Sequence, residues 1–191
     1  EDGIRDLVRS RGLGDVYKRQ NQDYKKALYY LSYEANLGDD KAQYNLGIMY
    51  KKGLGVPVNN NEAFSWFFLS ANQGNILANY ALGHAYLKGS GIKKNYKSAL
   101  KAFKYAGLRE HPSSRLIIGN MYYQGQGVIV SYPRAFLWWS LAQDLNIGGA
   151  SQNIDMIKKK MSKDQYSKAK EMYLMCMQNT LYNCTKKLDL F

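Results

Sequence analysis

Two histidines, two cysteines, three tryptophans and a set of G-x-G pairs are the residues of this 191-residue chain that could carry chemistry. A metal site needs further His, Cys or carboxylate ligands at coordination spacing. A nucleophilic site needs a hydroxyl or thiol within reach of a base that a third group orients. His84 and His111 lie in different units and neither has such company, and His84 is expected on a helix surface. The G-x-G pairs lack the lysine–serine of a phosphate-binding loop and recur in several places, which suits a structural turn better. No nucleophile elbow is present. Trp66, Trp138 and Trp139 could box a ligand, but their repeated phase places them in a core. No catalytic set, metal site or cofactor is therefore expected.

The recurrence itself decides the architecture. Leu46-Gly47 returns as Leu82-Gly83 and Ile118-Gly119, a step of 36 each time. In the same register come Tyr50, Tyr86 and Tyr122, then Gly53, Gly89 and Gly125, then Gly55, Gly91 and Gly127, then Ala63, Ala99 and Ala135. The aromatic pairs Trp66-Phe67 and Trp138-Trp139 share a phase, with Ala102-Phe103 between them. One step back, Ala27, Tyr30, Ala35 and Gly38 indicate an earlier partial repeat. A fixed period of this length means stacked units that cannot bury their apolar faces alone.

Each unit reads as two helices. In KAQYNLGIMYKKG, Ala42, Leu46, Met49, Tyr50 and Gly53 form one stripe at helical spacing. Gly47 costs about 1 kcal/mol inside that helix, so a neighbour must pass too close for a side chain. GLGV supplies the turn, Asn60 or Asn61 is expected to cap the second helix, and Gly74 to end it with positive φ. His111-Pro112 follows Glu110 where glycine and asparagine are expected, so that interhelix turn should differ. After Ala150 the pattern keeps Ile154, replaces glycine by Asp155 and loses G-x-G, so the array is ending. In MSKDQYSKAKEMYLMCMQ, Ser162 and Gln165 have capping-box spacing, and Tyr166, Ala169, Met172, Tyr173 and Cys176 make the stripe of a closing helix. The expected fold is an all-α, right-handed α-solenoid of antiparallel helix–turn–helix repeats over 21–160, with a capping helix and tail over 161–191.

AQYNLGIMYKKGLGVPVNNNEAFSWFFLSANQGN resembles a Sel-one-like repeat, a relative of the tetratricopeptide repeat, over about Asp23 to Ala150. That resemblance implies a non-catalytic bacterial scaffold, periplasmic or secreted, which holds a protein or peptide partner on a concave repeat surface. A cytoplasmic adaptor is the alternative location. A secreted host- or surface-directed effector of the same fold is a rival reading, and a cell-wall or β-lactam hydrolase a weaker one. If the first helix of each unit lines the concave side, the positions opposite the buried stripe are Tyr44, Ile48 and Lys52, then Tyr80, His84 and Lys88, then Leu116, Asn120 and Gln124. These would suit a peptide with acidic and apolar side chains.

The family often carries disulfides, which implies a Cys176–Cys184 bridge, with two reduced thiols as the alternative. A continuous helix would hold the two about 12 Å apart, beyond the ~7 Å limit. A bridge therefore requires the helix to stop, at Asn179-Thr180 or at Asn183.

The net charge is +12, which favours acidic partners in general. The lysines are scattered, Lys158-Lys159-Lys160 being the one dense run, so nucleic acid is not expected as a partner. No stretch approaches the ~20 apolar residues of a membrane span. A monomer is expected. The opening EDGIRDLVRSRGLGDVYKRQ fits none of this: the codons it implies resemble sequencing-library adapter, primer and transposon-end sequences, so residues 1–20 are read as translated adapter and disordered. Setting them aside removes five basic and four acidic residues and leaves a charge of +11.

Overall fold

The computed structural model describes residues 23–187. The adapter-like stretch 1–20 lies outside them. Among the described residues the chain is all-α: a helix over 23–36 (α1), then α2 (Asp40–Lys52), α3 (Asn60–Asn72), α4 (Ile76–Lys88), α5 (Tyr96–Leu108), α6 (Pro112–Gln124), α7 (Tyr132–Gln143), α8 (Ala150–Lys158), α9 (Lys163–Gln178) and α10 (Leu181–Lys187). These are the paired helices of a solenoid. They fall into two compact units, one ending at Ala78 and one beginning at Asn79.

Two backbone devices recur at the period of 36 and shape every repeat. The first is the turn between repeats, where Gly38, Gly74, Glu110 and Asn146 all have positive φ, at 98°, 91°, 64° and 57°. In each case the next amide closes on a carbonyl near the end of the preceding helix: Asp39 on Glu34, Asn75 on Ser70, His111 on Ala106 and Ile147 on Ala142. The expectation of a different turn at His111-Pro112 is thus corrected. The backbone keeps its path, Glu110 takes the left-handed position, and His111 takes the cap, its Nδ1 accepting from the Ser114 amide at 3.2 Å. Asp39 and Asn75 do the same through their side-chain oxygens, to Ala42 and Ala78. Such caps stabilise a helix by about 1 kcal/mol.

The second device is the G-x-G loop within a repeat. Both glycines are left-handed each time, for example Gly53 and Gly55 at 72°. The loop ends where the amides of Asn59, Asn95 and Ser131 donate to the carbonyls of Tyr50, Tyr86 and Tyr122. Asn59, not Asn60 or Asn61, is the cap of α3, accepting from the amides of Asn61 and Glu62. The second glycine also allows close stacking. A Cβ on Gly127 would stand 2.7 Å from the backbone carbonyl carbon of Tyr96, at the start of α5.

In the first unit α2 lies against α3, with Ala35, Ala42 and Leu46 buried among Leu28, Leu31, Tyr50 and Trp66. Gly47 meets the Phe67 ring as its position required: a Cβ there would lie 2.6 Å from Cε1. Trp66 is half-buried rather than fully in the core. Polar side chains tie the ends together, with Ser70 Oγ donating to Asp40 O at 2.6 Å and Asn75 Nδ2 to Asp40 Oδ2 at 2.7 Å.

The second unit has the larger core, in which Phe103, Ile118, Tyr122, Leu137, Trp138 and Trp139 are essentially inaccessible. Gly83 faces the ring of Phe103 and Gly119 that of Trp139, as Gly47 faces Phe67. The array closes on α7, which lies against both α8 and α9. The capping box forms as the sequence predicts, with Ser162 Oγ accepting from Gln165 N at 3.2 Å and Gln165 Oε1 from Ser162 N at 3.1 Å. Ala169, Met172 and Cys176 are its buried stripe. The closing element is two helices rather than one, because the chain becomes extended at Asn179 (φ −126°, ψ 167°) and Thr180 precedes α10, its Oγ1 accepting from the Asn183 amide. That break brings the Cα atoms of Cys176 and Cys184 to 4.9 Å, disulfide distance, with both residues buried.

Candidate functional site

The face opposite the buried stripe of each first helix is graded from half-buried to exposed; its half-buried side chains pack against the second helix and, on α4 and α6, against residues of the repeat that follows. On α2, the Tyr44 ring lies 5.8 Å from that of Phe67, Ile48 is half-buried, and Lys52 at the helix end is exposed. On α4, Tyr80 is the centre of an aromatic cluster, with ring centroids 4.7 Å from His84, 4.4 Å from His111 and 6.0 Å from Phe103. His84 is half-buried, edge-on to Phe103 at 5.2 Å, and does not lie free on a helix surface as its sequence position suggests. Lys88 is exposed. On α6, Leu116 and Asn120 are half-buried and Gln124 exposed.

Leu116 and Asn120 have a structural task as well. The buried indole of Trp139 donates to both, to Leu116 O at 3.2 Å and to Asn120 Oδ1 at 3.0 Å, while Asn153 Nδ2 on α8 approaches the same Asn120 oxygen at 3.4 Å. Asn120 thus links three helices, and its acceptor is already engaged. Within the second unit the structure brings Tyr80, His84 and His111 into one cluster; Leu116 and Asn120 belong to the neighbouring Trp139 cluster.

Several functional-looking residues lack an obvious sequence signal. His111 is half-buried at the Tyr80 cluster, and burial lowers its pKa. Arg115 is 5% exposed, its Nε donating to Gly107 O at 2.9 Å and its Nη1 to Leu141 O at 3.0 Å. It thereby places a cation at the carboxyl ends of α5 and α7, where the helix dipoles favour one. Burial lowers the Arg115 pKa, and the charges of Glu110 and Asp144 oppose that shift. The same position two repeats earlier is Gln43, whose Nε2 donates to Ala35 O at 3.1 Å. The signal was therefore a polar residue recurring at an otherwise buried phase. Tyr123 stacks near Tyr132 and Trp139, at 5.8 and 5.7 Å, and its hydroxyl bonds Lys160 Nζ. That bond, first among its causes, raises the Lys160 pKa. The lysine run is thus not a uniform basic patch, since Lys158 sits 3.5 Å from Asp155.

No group of three or more His, Cys, Asp or Glu side chains among the described residues could hold a metal ion. No helix among them is long and apolar enough to cross a membrane. What the face offers is half-buried aromatic and aliphatic surface next to exposed cations, the material of a binding surface.

The model of the Sel1 repeat matches this chain at residues 10–39, 40–75, 76–107 and 112–146. The first of these matches begins inside the adapter-like stretch and takes in α1. No curated protein matches. Among solved structures, the chain is similar to a protective antigen of uropathogenic Escherichia coli strains displaying an SLR fold, with 25% identity, a TM-score of 0.73, and coverage of 86% of this chain and 35% of that one. It is also similar to a Sel1 repeat protein from Oxalobacter formigenes, with 27% identity, a TM-score of 0.66, and coverage of 77% of this chain and 64% of that one. The chain thus spans about a third of the length of the first and less than two thirds of the second. Sel1 repeats are, as a family, modules of protein–protein interaction. With four matched repeats covering more than half of its length, this chain belongs to the Sel1 repeat family.

Proposed function

We propose that this chain is a non-catalytic bacterial scaffold that holds a protein or peptide partner on the first-helix faces of its repeats. The observation that carries the reading is the recurrent gradient from a half-buried aromatic to an exposed cation, Tyr44 to Lys52 on α2 and Tyr80 to Lys88 on α4. A partner segment with apolar and acidic side chains complements it: the rings are rigid contacts of low entropic cost, and the lysines steer acidic groups. Leu116 and Gln124 extend the surface on α6, and Asn120 shapes it through Trp139. The buried pair Cys176 and Cys184, at disulfide distance, supports a periplasmic or secreted location, since disulfides persist in oxidising compartments.

Photo-crosslinking tests the face. A photoreactive residue placed at Lys52 or at Lys88 should capture a partner, whereas one at Lys101, exposed on the second helix α5, should not. Equal capture from Lys101, or capture from it alone, would show that the face is wrong. Intact mass of the protein isolated from its native host, before and after reduction, tests the compartment: thiols that alkylate without reduction would end the export reading. The similarity to a protective antigen favours one variant of this proposal, a scaffold displayed at or beyond the bacterial surface. Labelling of exposed lysines on intact cells separates that variant from a periplasmic scaffold.

A further inference from the structure

At the carboxyl end of the second unit, α7, α8 and α9 leave a groove of about 260 Å³ that the first-helix face does not include. Its floor is apolar. Phe136 and Ile154 are buried there, and the Tyr166 ring stands edge-on to Phe136 at 5.6 Å. Leu174, 52% exposed, forms an apolar lip. Lys158 of α8 and Lys170 of α9 border the same space, and none of the residues lining it is acidic.

Both lysines are held lightly. Lys158 reaches Asp155 at 3.5 Å, with side-chain exposures of 42% and 71%, and pairs so exposed are worth little. Lys170 lies over the Tyr166 ring, 5.7 Å from its centroid. The Tyr173 hydroxyl is committed to Asp144 Oδ1 at 3.0 Å, which fixes that wall of the groove. The Cys176–Cys184 pair lies directly beyond Leu174 on α9 and ties the end of that helix to α10. The groove is therefore built before a ligand arrives.

We infer that this groove docks the last residue of a partner polypeptide, an apolar side chain on the Phe136–Ile154 floor with its terminal carboxylate between Lys158 and Lys170. The size argues for one residue. Sites for drug-sized ligands run to roughly 300–1,000 Å³, and this groove is smaller, with room for a single large side chain. The charge argues for a chain end, because a carboxyl-terminal residue carries an apolar side chain and a carboxylate on one Cα. An internal acidic motif needs a second residue to supply the charge.

The test is an NMR titration of the oxidised full-length chain with the peptide acetyl-Gly-Ser-Gly-Leu-Phe in three forms: free carboxylate, terminal amide, and amide with Glu in place of Leu. The carboxylate form should shift amides of α7, α8 and α9 around the groove, and the terminal amide should bind about tenfold more weakly, as loss of a charge-assisted contact implies. Lys158→Gln with Lys170→Gln should weaken the carboxylate form by a similar factor, and Lys101→Gln should leave it unchanged. All three lysines are exposed, so these variants keep the fold. No shift at the groove at millimolar peptide, equal binding of acid and amide, or preference for the internal-Glu peptide would each overturn the proposal. The crosslinks expected at Lys52 and Lys88 do not depend on this result.

Discussion

Replacing Gly119 by alanine should destabilise the second unit by about 2–4 kcal/mol, although alanine is the better helix former. The gain in propensity is about 1 kcal/mol. Against it stands the methyl position, 2.5 Å from Nε1 and 2.9 Å from Cγ of Trp139, with Cδ1 closer still. Trp139 is 1% exposed and cannot retreat into solvent. Overpacking of this kind costs typically 1–3 kcal/mol. Moving the indole also strains its hydrogen bonds to Leu116 O and Asn120 Oδ1, and leaving a buried donor unmatched costs a further 1–3 kcal/mol or so. Gly47→Ala and Gly83→Ala meet phenyl rings, Phe67 and Phe103, at 2.6 and 2.7 Å, with no hydrogen bond at stake. They should lose less, about 1–2 kcal/mol. Urea denaturation followed by circular dichroism gives the order, and Trp139→Phe should recover part of the Gly119→Ala loss through coupling between the two sites. A Gly119→Ala chain as stable as its parent, or no coupling to residue 139, would refute the reasoning that glycine is there to admit the ring.

Glu110→Gly should raise stability by about 1 kcal/mol, because Glu110 occupies a left-handed conformation that costs a side-chain-bearing residue roughly 1–2 kcal/mol; an unchanged or lower melting temperature counts against this. Arg115→Met should cost about 3–5 kcal/mol by leaving the carbonyls of Gly107 and Leu141 without their charged donor, and Arg115→Gln about half of that, since Gln43 shows that an amide serves one carbonyl; equal losses would argue against separate roles. The pKa of His111 is lowered in the fold, so the unfolded chain binds its proton first. Its contribution is therefore fully present above the unfolded value of about 6.5 and lost as pH falls through the folded value. His111→Asn, which keeps the cap as Asn75 does, should flatten that part of the stability–pH curve. Cys176→Ser should cost about 2–3 kcal/mol by the loop-entropy estimate for a separation of 8, and reduction of the parent should produce the same loss in a denaturation curve.

The repeat was legible in the sequence because its period is carried by glycines that little else can replace. Gly47, Gly83 and Gly119 leave room for a ring and the G-x-G pairs take positive φ, while the apolar residues beside them vary in size, Leu46 to Ile118 and Trp66 to Ala102. The turn at Glu110 and His111 misled for the complementary reason. That turn is specified by backbone geometry and one side-chain acceptor, requirements that glycine and asparagine meet most cheaply and that glutamate and histidine also meet at a modest cost. Position 38, 74, 110 and 146 is a conformation before it is a residue type.

The proposed binding face was less legible because helical phase says which residues point away from one core, not what lies beyond them. Tyr80, His84 and Leu116 came out half-buried, since a solenoid helix contacts more than its own partner, and Asn120 proved to be the acceptor for a tryptophan 19 residues on. The groove at α7, α8 and α9 had no sequence signature at all, because it arises where the repeat stops. Asp155 replaces the glycine that admits a bulky ring in each full repeat, α8 is shorter than the helices before it, and α9 closes the end without filling the space over Phe136. Lys158 stands where the full repeats carry Tyr50, Tyr86 and Tyr122, and Lys170 comes from the closing helix α9. A site formed by the failure of a repeat is invisible to any reading that looks for the repeat, and the last helices of such arrays are the place to search for side chains that do something other than stack.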